Sequence, residues 1–266
     1  MNELILRFDL DELYEEHLKK FLELVKTKKF KSHLFALEYQ VVDKKLNVLL
    51  KQLELEGCDV GLHSEPFFPR VNLWKNPISF VKYGLVYSQF LLFNKLKDKK
   101  SLTKLIAHQL QNQAITYKNA GFNAFSHSLH ARNNYMNFTI EENWEVFKQA
   151  PKDAVCFEKF FSHEKIMNVR KGVEEKQEFK PPYLNVKKEG ILKTYTTGFD
   201  DTFFYVMKGD MNDAKENITK ALRWCEANNV TTFVVSIHPY HCYHHNFYKL
   251  EELIDFLTNI KGWPVR

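Results

Sequence analysis

Asp9 and Asp11 close a short apolar run near the start of the chain, Leu-Ile-Leu-Arg-Phe-Asp-Leu-Asp at 4–11. Carboxylates so placed can bind a metal, accept a proton or attack a substrate. Three further clusters share the pattern of an apolar run followed by a polar side chain. His63 follows Cys-Asp-Val-Gly-Leu at 58–62, and His238 follows Thr-Thr-Phe-Val-Val-Ser-Ile at 231–237. His127 and His130 lie in Ala-Phe-Ser-His-Ser-Leu-His-Ala-Arg at 124–132. One carboxylate with two neutral imidazoles suits a divalent ion such as zinc and leaves a coordination position for water. The spare carboxylate and imidazole then supply a general base and a general acid, and water on such an ion has its pKa lowered towards about 7. Such a set hydrolyses acyl groups. A single histidine at a strand end has an ordinary structural explanation; co-occurrence at several strand ends is what points to a site. His241, His244 and His245 resemble a metal-binding tract but are expected to decorate an exposed loop.

Short apolar runs read as buried strands, so elements that bring these residues to one rim are needed. Tyr14, Leu18, Phe21, Leu22 and Val25 recur at helical spacing, and the basic residues Lys26, Lys28 and Lys29 suit that helix's end. Strands are expected at 33–37 and 58–62, with a helix at 46–55 between them. Residues 66–100, with Pro66, Pro69 and Pro77, read as an aromatic loop carrying a short helix near 83–96. Helices follow at 102–117, 141–149, 213–227 and 250–259, and strands at 154–161, 191–196 and 231–237. The charged segment 170–190 reads as a surface excursion. Strands alternating with helices imply a mostly parallel α/β sheet, whose strand ends face one crevice. No repeat or linker divides the chain, so residues 1–266 are expected to form a single domain.

At 266 residues and 44% hydrophobic, the chain is long enough to bury a sizeable core in one domain. Its net charge of +5 comes from scattered basic residues, which favours a solvated surface over affinity for nucleic acid or an anionic membrane. No apolar stretch reaches the roughly 18 residues that span a bilayer, so no transmembrane segment is expected. Asp9 and Asp11 interrupt the one candidate for a signal-peptide core. Cys58, Cys156, Cys225 and Cys242 form no Cys-x-x-Cys pair, so reduced thiols and a cytoplasmic location are the expectation.

Phe-Asp-Leu-Asp (8–11), Asp-Val-Gly-Leu-His-Ser (59–64) and Val-Val-Ser-Ile-His-Pro (234–239) resemble the motifs of polysaccharide deacetylases, the NodB-homology carbohydrate esterases of family 4. The resemblance holds in motif order and runs over nearly the whole chain. It implies an irregular (β/α) barrel of about seven mostly parallel strands, a divalent metal, zinc by preference, and removal of N- or O-acetyl groups from sugars. It further implies Asp9 as base, Asp11 and His63 as metal ligands, and His238 as the acid that protonates the leaving amine. In one respect the chain departs: the usual second motif is His-Ser-x-x-His, and Phe67 occupies the second histidine position. One branch of deacetylase-like proteins instead carries a later His-x-Leu element, which Ser-His-Ser-Leu at 126–129 resembles. His127 is thereby the expected third ligand, with His130 in reserve. Gly-Phe-Asp-Asp-Thr at 198–202 resembles a late segment of the same branch, where Asp200 lines the substrate cleft or caps a turn. Arg132 is a candidate to orient Asp9 by a charge-assisted pair. The partner implied is a carbohydrate or glycan precursor, as in cell-envelope biosynthesis, against which the aromatics of 66–93 either stack or simply cover the barrel.

Two other classes compete. A HAD-type Mg²⁺-dependent phosphatase would use Asp9 as nucleophile and Asp11 as proton shuttle, with Gly-Asp-Met-Asn-Asp at 209–213 binding the ion. Glu12-Leu13 stands where that family has Gly-Thr, and the 209–213 segment has an ordinary helix-capping explanation. A catalytically inactive relative that binds glycan is the non-enzyme alternative.

Overall fold

Period-two alternation in the first strand sets up two chemically different sheet faces. Along β1 (Glu3–Asp9), Leu4, Leu6 and Phe8 are fully buried in the main apolar core. The intervening Ile5, Arg7 and Asp9 are also buried, so they occupy the opposite face. The same alternation recurs in β2 (His33–Ala36), β3 (Asp59–Ser64) and β9 (Thr232–Ile237). Leu34, Ala36, Val60, Leu62, Phe233, Val235 and Ile237 join the main core, while Phe35 and Val234 form a small separate cluster with Ile5.

The computed structural model describes residues 2–11, 13–64, 77–122, 126–129, 155–158, 187–189, 192–196, 199–201, 210–245 and 249–266. The remaining strands are β4 (Ser126–Leu129), β5 (Val155–Glu158), β6 (Lys187–Glu189), β7 (Leu192–Thr196) and β8 (Phe199–Asp200). They form one sheet in the order β6-β7-β5-β4-β3-β2-β1-β9-β8, parallel throughout except for the β6–β7 pair. Seven strands thus run between two short end strands. Among the described residues no pairing joins β6 to β8, so closure into a barrel is not part of the described sheet.

Helices α1 (Glu15–Lys28), α2 (Glu38–Val42), α3 (Lys44–Leu55), α4 (Pro77–Lys95), α5 (Lys99–Asn119), α6 (Met211–Ala227), α7 (Pro239–His245) and α8 (Leu250–Thr258) complete the described elements. Leu18, Phe21, Leu22 and Val25 of α1, and Ala214, Ile218, Ala221, Leu222 and Cys225 of α6, belong to the core that includes the apolar sheet face. Each of the larger of these side chains contributes on the order of 1.5–3 kcal/mol by leaving water. Asp43 caps α3 by accepting from the N–H groups of Lys45 and Leu46.

Three expectations need correction. The helix near 83–96 begins at Pro77, where proline fits a first turn, and is 19 residues long. The tract with His241, His244 and His245 is the helix α7, not a loop, and His241 is buried. His63 lies within β3, one residue before its end, rather than after the strand. Gly61 explains how β3 and β4 come so close. A Cβ at Gly61 would lie under 3.0 Å from the Ser126 Oγ, carbonyl carbon and carbonyl oxygen. The expected helix at 141–149 lies outside the described residues.

Candidate active site

Because the strands are parallel, their carboxyl ends share one rim, and Asp9, His63, Asp200 and His238 are all found there. Asp9 is the last residue of β1 and is fully buried. Arg7, two residues earlier and therefore on the same strand face, donates from Nε to Asp9 Oδ1 (2.9 Å) and from Nη2 to Oδ2 (2.8 Å). The guanidinium also donates to Ser128 Oγ on β4 and lies 5.2 Å from the centre of the Phe35 ring. Arg7 thus reaches over β2 and β3 to tie β1 to β4. This bidentate pair is wholly buried, so its desolvation is offset only while both partners and their hydrogen bonds stay in place.

Two imidazoles approach the same carboxylate. His238 Nε2 lies 3.3 Å and His63 Nε2 3.6 Å from Asp9 Oδ2. Asp11, partly exposed, brings Oδ1 to 3.1 Å from His63 Nε2. Two ligands of one tetrahedral zinc, with bonds of about 2.1 Å, sit about 3.4 Å apart. Asp11 and His63 therefore fit a divalent ion in donor type and in spacing.

His238 follows β9 directly and is buried. Its Nδ1 is 2.6 Å from Asp201 Oδ1, and its backbone N–H donates to Asp201 Oδ2 at 2.9 Å. Asp200 is buried at the end of β8, but its Oδ1 is 4.0 Å from the same nitrogen. Asp201 is thus the residue that holds the imidazole, through both ring and backbone. Donor atoms of Asp201, His238 and the buried His241 also lie within 4.8 Å of one another, a second grouping of metal-binding type. Burial pushes the His241 imidazole down to about 4, so it is neutral at ordinary pH.

The remaining candidates are placed less fully. His127 is in β4, paired in register with Leu62, while Ser128 pairs with His63 and is the β4 residue that Arg7 contacts. His130 and Arg132 lie outside the described residues, as does Phe67. Asp210 is exposed and caps α6, accepting from the N–H groups of Asn212 and Asp213, while the Asp213 carboxylate accepts from the Asp210 N–H.

Two residues at this site, Arg7 and Asp201, were not singled out from the sequence. A signal for Arg7 existed, since an arginine two positions before an aspartate in a buried strand shares its face. For Asp201 none did, because a two-residue strand gives no period from which to choose between adjacent aspartates.

No protein-family model matches the chain, and no curated protein matches it. Similarity is found among solved structures. A CE4 family pseudoenzyme from Bacillus anthracis aligns over 99% of this chain and 63% of its own, at 13% identity and a TM-score of 0.51. The peptidoglycan deacetylase PdaC from Bacillus subtilis aligns over 99% of this chain and 86% of its own, at 12% identity and a TM-score of 0.48. A polysaccharide deacetylase from Bacillus cereus aligns over 99% and 90%, at 13% identity and a TM-score of 0.48. The chain thus spans 63% of the length of the Bacillus anthracis protein. That likeness shows a shared α/β fold with a carbohydrate esterase family 4 protein. Among the described residues no helix is long and apolar enough to cross a membrane.

Proposed function

We propose that the chain is a metal-dependent hydrolase that removes an acyl group, N-acetyl by preference, from a sugar or glycan precursor. One observation carries this reading: three nitrogens, from Arg7, His238 and His63, converge on the single buried oxygen Asp9 Oδ2, with the Asp11 carboxylate beside them. Acyl transfer to water needs a base, an acid and an oxyanion stabiliser within one small volume.

A bound divalent ion, zinc by preference, would supply Lewis-acid polarisation of the acyl carbonyl and lower the pKa of water. Asp11 and His63 would hold it. For the third donor, the sequence motif at 126–129 favours His127, with His130 in reserve. Asp9 accepts a proton from the water that attacks the acyl carbon. As the carbon–nitrogen bond breaks, the electron pair goes to nitrogen, and His238 Nε2 delivers the proton that neutralises it. Asp201 fixes the His238 tautomer by accepting from Nδ1 and stabilises the imidazolium when the ring is charged. Arg7 holds the Asp9 carboxylate in place. We assign the grouping of Asp201, His238 and His241 to orientation of the acid, because Asp201 contacts the His238 ring at 2.6 Å and the His241 backbone N–H donates to the His238 carbonyl at 2.9 Å.

The family resemblance in sequence and the shared fold support a carbohydrate substrate, and buried thiols at Cys58, Cys225 and Cys242 suit a reducing, cytoplasmic location. The phosphatase reading loses support, since the Asp210 carboxylate serves an exposed helix cap. A non-catalytic, glycan-binding role is the second reading, favoured by the pseudoenzyme among the structural neighbours. Acetate release from acetylated amino sugars decides between them. The hydrolase releases acetate, and Asp9→Asn retains the metal while losing turnover. Metal-loaded protein that binds glycan with no acetate release would establish the second reading.

A further inference from the structure

Apart from the rim chemistry, α4 is apolar on two sides. Phe90 is buried in the core, with Val86, Tyr87 and Phe93 packed against it, and these account for one side. On the other, Val81 is 59%, Leu85 63% and Leu92 52% exposed, and Leu96, just past the helix end, is 65% exposed. Steps of four, seven and four residues align these four along one side, a stripe about 22 Å long at 1.5 Å per residue, with the exposed Ser88 in the seven-residue step donating to the Gly84 carbonyl. Exposed apolar surface of this extent marks a contact site.

Charge at the carboxyl end of the stripe identifies its partner. Lys95, Lys97, Lys99, Lys100 and Lys104 are all exposed, and Asp98 is the one acidic residue between positions 81 and 104. The Asp98 carboxylate is already committed to capping α5 at Ser101, and that hydrogen bond, with Lys100 and Lys104 nearby, holds its carboxyl below the usual range. We propose that this face of α4 is a peripheral membrane-binding surface. Val81, Leu85, Leu92 and Leu96 enter the headgroup–acyl boundary, and the lysine cluster meets anionic lipid headgroups. A second copy of the chain fits less well, because α4 contains no acid for a partner's lysines to meet. The helix lies on the bilayer and does not cross it. This inference stands independently of the hydrolase reading.

Co-sedimentation of the full chain with vesicles tests it, using phosphatidylcholine alone or with phosphatidylglycerol. The protein is expected to pellet with the anionic vesicles, less with neutral ones, and less as salt is raised. The double substitution Leu85→Ser and Leu92→Ser alters exposed positions, so melting temperature should hold while vesicle affinity falls about tenfold or more. Lys97→Glu with Lys100→Glu should abolish the preference for anionic lipid. The proposal is overturned by failure to bind anionic vesicles at low salt, or by binding that ignores both pairs of substitutions. A wild-type dimer that Leu85→Ser and Leu92→Ser convert to monomer would overturn it too, by assigning the stripe to self-association.

Discussion

Arg7 grips Asp9 through both carboxylate oxygens from two residues away on the same strand, and neither side chain is exposed to solvent. The arginine therefore fixes the orientation of the proposed base and compensates its charge where water cannot. Removing one partner alone leaves an unpaired buried charge. Arg7→Leu should cost on the order of 3–5 kcal/mol in urea denaturation, whereas the double change Arg7→Leu with Asp9→Leu should recover much of that loss. Equal destabilisation by the single and double variants would show that the pair is not the controlling contact.

Asp201 acts on the reaction only through His238, so its effect should appear in turnover more than in substrate binding. Asp201→Asn keeps the shape but cannot stabilise a charged imidazole. A fall in kcat of about 10²–10⁴-fold with little change in KM is expected, together with an altered pH profile. Asp200→Asn, whose oxygen is 4.0 Å from the ring nitrogen, should have the smaller effect. A reversed order would move the positioning role to Asp200.

Metal content separates the two histidine groupings. His63→Ala and Asp11→Ala should lose the ion by elemental analysis, while His241→Ala should keep it. With His127 as third ligand, His127→Ala should lose the ion and His130→Ala should retain it; the opposite pair of outcomes would assign the position to His130. Loss of metal in His241→Ala with retention in His63→Ala would transfer the centre to Asp201, His238 and His241.

Burial holds the His241 imidazole near 4, below its ordinary 6.5. As pH falls through that window the unfolded chain takes up the proton before the folded one does. Stability should therefore be full above 6.5 and decline towards pH 4, by on the order of 3 kcal/mol from this group. Denaturation of chelator-treated protein across that range should show a slope that His241→Gln reduces. An unchanged slope in the variant would show that His241 does not titrate in this way.

Much of the frame was legible in the residues alone. Alternating side chains in 4–9 and 58–64, and helical spacing in 14–25, follow from the backbone's own period, which any segment carries within itself. Asp9, Asp11, His63 and His238 could be found because each lies at or near a strand's carboxyl end, where parallel topology gathers side chains on one rim. The identity of their immediate partners was a different matter. Arg7 meets Ser128 across 121 positions of chain, His238 meets Asp201 and not Asp200, and the register pairs His127 with Leu62 while Ser128 pairs with His63. Register is settled by how separate strands dock, and a shift of one residue exchanges the two faces. Local periodicity therefore determined which residues could reach the rim, and only the packing of distant segments decided which of them touch.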